Sequence, residues 1–207
     1  MNMIQDTLQM AFSENYPMII IFTVIIVAIR IAYLIVHKQE FVFYKEFFML
    51  SFLLYSLLLF YVVTFQDVNY GTNNFVPFHE IFRYEFGSSY FIHNILGNIL
   101  LFIPFGYFVS RIMTTRKPWA TLIISLITAV TIECTQLMIG RTFDVDDIIL
   151  NVVGCMLGYL VYLMIDVIES HLSPFCSSNM FKNIVVVVFV ALLALLYYYS
   201  SLWGILR

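Results

Sequence analysis

What most limits how this chain can fold is a set of six stretches, each about twenty residues long and mostly apolar. They run from Pro17 to Val36, Glu46 to Phe65, Asn94 to Ile112, Pro118 to Ile139, Ile148 to Val167 and Ile184 to Trp203. A helix of about 20 apolar residues crosses roughly 30 Å of hydrocarbon with every backbone N–H and C=O satisfied internally. Composition closes off the soluble alternative. With 62% hydrophobic and 11% charged residues, the chain lacks the polar side chains to cover a globule of 207 residues. The expected fold class is all-α, a polytopic transmembrane helical bundle of about six spans.

The connections carry most of the charge. Lys38, Lys45, Arg111, Arg116, Lys117 and Lys182 fall on one side, with Arg30 late in the first span reaching the same side; Arg83, Arg141 and Arg207 fall on the other. Seven basic residues against three orient both termini outside the cytoplasm. The first sixteen residues hold Asp6 and Glu14 but no Lys or Arg, so the first span is expected to be retained and not cleaved as a signal. A net charge of −3 and the absence of any basic run beyond Arg116-Lys117 exclude nucleic acid as a partner. Cys134, Cys155 and Cys176 are isolated and odd in number, which implies neither a disulfide framework nor a zinc site. Between Asn74 and Phe91, Phe75, Phe78 and Phe82 lie three and four residues apart, with Pro77 early in the run. That pattern predicts a short interfacial helix with its aromatics toward lipid, or an aromatic-anchored loop.

Within the apolar background one stretch, TIECTQLMIGRTFDVDDIILNVVG at 131–154, gathers polar groups where hydrocarbon is expected. Glu133 precedes Gly140 by seven residues, which at the helical rise puts it roughly 10 Å inside the membrane boundary. A carboxylate there is costly, and such residues face a bundle interior or a wet cavity. Asp144, Asp147 and Asn151 share one face if the fifth span begins near Phe143, while Asp146 points elsewhere. Asn94 and Asn98 enter from the same side, so Asn98, Glu133 and Asn151 are expected at similar depth. Farther along, Gly154 and Gly158 form a small-xxx-small pair that admits a close neighbouring helix. Pro104 predicts a kink or local opening in the third span.

The elements NFVPF (74–78), NILGNILLFIPFG (94–106), IECTQ (132–136) and GRTFDVDDIILNVVGCMLG (140–158), in this order, resemble the VanZ family. The resemblance covers about Asn74 to Tyr162. It implies a small polytopic protein of the bacterial plasma membrane, linked to low-level resistance against teicoplanin-type glycopeptide and lipoglycopeptide antibiotics. The chain then divides into an N-terminal two-span region (1–73), a VanZ-like core with an interfacial segment and three spans (74–168), and a C-terminal loop with the sixth span (169–207).

Three readings of the polar cluster stand open. In the first, Asn98, Gln136, Arg141, Asp144, Asp147, Asn151 and His79 form an outer-leaflet pocket for a lipid-linked cell-wall precursor or a lipoglycopeptide, among membrane lipids as partners. In the second, the protein is an enzyme acting on a lipid or polyprenyl-phosphate headgroup. There Glu133 is a general base, Arg141 a phosphate grip, and His79 or His93 a proton shuttle. Glu133, Asp144 and Asp147 are then candidate ligands for Mg²⁺. In the third, the polar network fixes helix register and does no chemistry. A channel is disfavoured because no charge ring lines the full depth.

Overall fold

The computed structural model describes residues 2–65, 73–83, 85, 87, 88 and 91–205. Expectations placed on Gln66, Tyr84, Phe86, Tyr90 and Arg207, and on the side chains of Asp6, Glu14, His93, Tyr197, Tyr199 and Trp203, lie outside the described residues.

The described chain is helical almost throughout. Helix α1 spans Asn2–Val36, α2 Phe43–Phe65, α3 His79–Arg83, α4 Gly97–Met113, α5 Pro118–Met138, α6 Val145–His171, α7 Pro174–Ser177 and α8 Asn179–Ile205. Among the described residues five helices (α2, α4, α5, α6 and α8) are long and apolar enough to cross a membrane; α1 adds an apolar stretch, Ile20–Val36. Several helices outrun the apolar stretch that announces them, because hydropathy marks where hydrocarbon contact ends and not where helical hydrogen bonding ends. Hydroxyls inside the spans are satisfied locally. Ser51, Ser56, Ser110, Thr131 and Thr135 each donate to the carbonyl four residues back, so these polar groups cost little at membrane depth.

Two connections are set by local chemistry. Helix α5 starts with Pro118, whose missing N–H falls where no helical acceptor exists. It ends in a Schellman turn, in which Gly140 at φ +85° lets Arg141 N–H reach the Gln136 carbonyl (2.9 Å) and Gly140 N–H the Leu137 carbonyl (3.1 Å). Ahead of α4, Phe91–Leu96 forms a π-helical turn. Asn94, within this wider turn, is exposed, while Asn98, in the first turn of α4, is partly buried. The interfacial helix is shorter than its aromatic spacing suggests. Among the described residues of this run only His79–Arg83 is α-helical, and Phe75, Pro77 and Phe78 precede it.

By Cα packing the chain forms two compact units, one of residues 1–20 and 52–167, the other of 21–51 and 168–207. In the second unit Arg30 makes a two-pronged pair with Glu46 (2.8 and 3.0 Å), so its charge is matched. Asn183 accepts the Tyr44 N–H (2.9 Å), and Lys182 lies 3.5 Å from Glu169.

In the first unit two helices, α4 and α6, pack backbone to backbone. A Cβ placed on Gly106 of α4 would sit on the Cys155 backbone, 2.6 Å from its carbonyl carbon and 2.7 Å from its Cα. One placed on Gly158 of α6 would come 2.7 Å from the Tyr107 nitrogen, and one on Gly154 would meet the Ile99 carbonyl. The contacts advance together along both helices, which therefore run parallel with backbones touching, as small-residue faces allow. Leu59, Phe102 and Cys155 form the apolar core here, with Tyr55 donating to the Leu101 carbonyl. At one end of the unit Arg116 pairs with Asp166 (2.9 and 2.6 Å) and Tyr159 donates to the Arg116 carbonyl (2.6 Å). The opposite end carries the polar cluster.

Candidate functional site

The cluster is built on a pairing of two segments that lie 70 residues apart in the chain. Asn74 N–H donates to the Phe143 carbonyl (2.8 Å) and Val145 N–H to the Asn74 carbonyl (3.1 Å), a single parallel bridge just ahead of α6. Side chains reinforce it. The Asn74 amide donates to Asp144 Oδ1 (2.9 Å), Asn73 Oδ1 accepts Phe143 N–H (2.9 Å), and the Phe75 and Phe143 rings stack at 5.4 Å.

Asp146, outside the expected set, is the anchor of this arrangement. It is 1% exposed, and its carboxylate accepts the backbone N–H groups of Phe78, Glu80 (2.7 Å) and Ile81 (3.2 Å). It thus caps the first turn of α3 from a distant part of the chain. The same contact holds Phe78 at φ +67°, a conformation a bulky residue adopts only when its surroundings enforce it. Phe75, Val76, Phe78 and Phe82 are left exposed around the cap, forming an apolar rim.

Beneath the bridge the acidic groups meet. Glu133 is 1% exposed and lies on the α5 stripe of Ser125, Ala129 and Gln136, all buried, where small residues let neighbouring helices approach. Its Oε2 accepts the Asp144 N–H at 2.9 Å. Asp144 itself precedes α6 and is not part of it. It acts as an N-cap, accepting Asp146 N–H at 2.8 Å, so the face-sharing expected of residues 144, 147 and 151 holds for the latter two, which are helical. Asp147 Oδ1 accepts the Asn98 amide at 2.6 Å, joining α6 to α4. Asp147, Asp144 and Arg141 all lie within electrostatic range of Glu133, and Arg141, Asp144 and Asp146 within range of Asp147. Burial raises the Asp144 carboxyl above the usual aspartate range, against the opposing pull of the Asp146 N–H and the Asn74 amide.

Asn98, Glu133, Arg141, Asp144 and Asp147 are therefore brought together. Gln136 is buried one turn from Glu133, and its carbonyl takes the Arg141 N–H. Asn151 is 4% exposed, and its Oδ1 is buried without a hydrogen-bond partner among the described residues. His79 stands apart. Its side chain is 61% exposed and lies 3.3 Å from Glu80. Among the described residues no group of three or more His, Cys, Asp or Glu side chains is arranged to hold a metal ion. One oxygen each of Glu133, Asp144 and Asp147 is turned to a protein N–H instead. Asn73 is absent from the sequence expectations, Asn74 enters them only within the NFVPF motif, and Asp146, read there as pointing elsewhere, is the anchor. The adjacent asparagines ahead of Pro77 and the closely set Asp144 and Asp146 were the available signals.

These features define an all-α, multi-pass membrane protein with an acidic and amide cluster clasped at one end of its larger unit. The sequence profile of the VanZ/LLP1 family matches residues 47–168, and the chain belongs to that family. The match begins within α2 and includes every residue of the cluster. No curated protein and no solved structure matches the chain.

Proposed function

We propose that the clasped end binds the polar head of an amphiphile, a lipid-linked cell-wall precursor or a lipoglycopeptide, at the outer leaflet of a bacterial plasma membrane. Low-level resistance to teicoplanin-type antibiotics would follow from that binding. The observation that carries the reading is the joining of Asn98, Glu133, Arg141, Asp144 and Asp147 beneath an exposed rim of Phe75, Val76, Phe78 and Phe82. A polar centre with an apolar rim suits a ligand with a charged head and an acyl tail. The excess of Lys and Arg on the opposite connections supports the outward placement.

The test is teicoplanin susceptibility of a sensitive bacterium carrying the wild-type protein or Glu133→Gln, at matched membrane abundance. Glu133→Gln removes one charge at nearly constant volume. Protection by wild type alone supports the reading, and equal susceptibility of the two strains overturns it. Incubating purified protein with candidate lipids and weighing the products separates binding from turnover, since an enzyme leaves a lipid of new mass.

A further inference from the structure

Resting on that reading, we propose that the group received by the site is a protonated primary amine, held by Glu133, Asp147 and the unpaired Oδ1 of Asn151.

The charge balance comes first. Asp146 spends its carboxylate on three backbone N–H groups. That leaves Glu133, Asp144 and Asp147 near one another, with Arg141 in range of Glu133 and Asp147, more carboxyl groups than cations in a setting where an unmatched charge is expensive. A phosphate or carboxylate brought to this place would find three carboxyl groups and one arginine, few donors for its oxygens. A cation is attracted by the set.

Asn151 adds an independent demand. A buried carbonyl oxygen without a donor is costly, and it calls for an N–H or O–H. Asn151 follows Asp147 by one helical turn, and side chains on a helix lean toward its N-terminus, so its amide inclines to the level of Asp147. Residues so related have Cβ atoms about 5–6 Å apart. One ammonium nitrogen makes charge-assisted bonds of about 2.8 Å, so it can serve acceptors on both of these side chains. Its third N–H remains for Glu133 of the neighbouring helix. A divalent metal would need a regular cage of oxygens, which no group of described acidic or histidine side chains forms. An ammonium needs only three acceptors in loose geometry.

The experiment is native mass spectrometry of the full-length protein in detergent with equimolar phosphatidylethanolamine, phosphatidylcholine, N-acyl-phosphatidylethanolamine and phosphatidylglycerol. A parallel arm pits dodecylamine against dodecyltrimethylammonium and dodecyl phosphate, and so distinguishes a membrane aminolipid from a single-chain amine. The primary amine in at least one arm should be retained about tenfold over its quaternary counterpart, which keeps the charge but has no N–H to donate. Asn151→Leu and Glu133→Gln should each lose that preference. Retention independent of headgroup, the outcome if water alone serves Asn151, overturns the amine assignment while leaving amphiphile binding intact. Preference for a phosphate head overturns it as well. A preference for amines that survives both substitutions removes it from this site. Because the comparison among ligands uses the wild-type protein, it decides the matter even if a variant fails to fold.

Discussion

Gly106→Ala adds one methyl group at the tightest point between α4 and α6, and its consequences can be followed from distance to function. The new Cβ would lie 2.6 Å from the Cys155 carbonyl carbon and 2.7 Å from its Cα. Both are backbone atoms, so no rotamer change relieves the contact. Restoring an ordinary carbon separation of about 3.5 Å requires the helices to part by about 1 Å. The Asn98 to Asp147 bond, 2.6 Å at present, would then stretch to about 3.6 Å, beyond hydrogen-bonding range. Overpacking of this kind costs about 1–3 kcal/mol, and contact with immobile backbone puts Gly106→Ala at about the upper end. For a chain of this size that corresponds to a fall in Tm on the order of 10 °C. Gly97→Ala is the control within the same helix, since its Cβ would meet only the Ile92 carbonyl oxygen at 3.8 Å, an ordinary contact. Thermal melting of the detergent-solubilised protein, followed by size-exclusion recovery, should separate the two variants, and amphiphile retention should fall for Gly106→Ala. Unchanged melting and retention in Gly106→Ala would refute the reasoning that backbone contact between α4 and α6 holds the site together.

Two further outcomes follow from the clasp. Asp146→Asn replaces a carboxylate oxygen with an N–H₂ facing backbone donors, so at least one of the Phe78, Glu80 and Ile81 N–H groups loses its acceptor; the cost is about 2 kcal/mol. Trypsin should then cut sooner at the exposed Arg83, and an unchanged cleavage rate would contradict the capping role. For Asp144, the folded protein retains a proton that the unfolded chain releases at the ordinary aspartate value near 4. Its contribution favours folding most below that value and diminishes as pH rises through the raised folded value. Asp144→Asn should remove that decline from a denaturation series across the acid range, and identical pH profiles for the two proteins would show that Asp144 is not its source.

The sequence by itself determined the helical class, the apolar spans and the close approach available at Gly154 and Gly158. These are sums or spacings over neighbouring residues, and hydrocarbon imposes them locally: an apolar run of sufficient length becomes a helix whatever it packs against. Gly140 was readable in the same way, because ending α5 in a Schellman turn needs one residue at positive φ. Tertiary structure alone decided that Asn74 pairs with Asp144, that Asp146 caps a helix 66 residues earlier, that His79 turns outward, and that Asn98 meets Asp147. Hydrogen bonds between segments far apart in the chain leave no period in it, and a carboxylate such as Asp146 looks like a surface residue until the donors that surround it are folded into place.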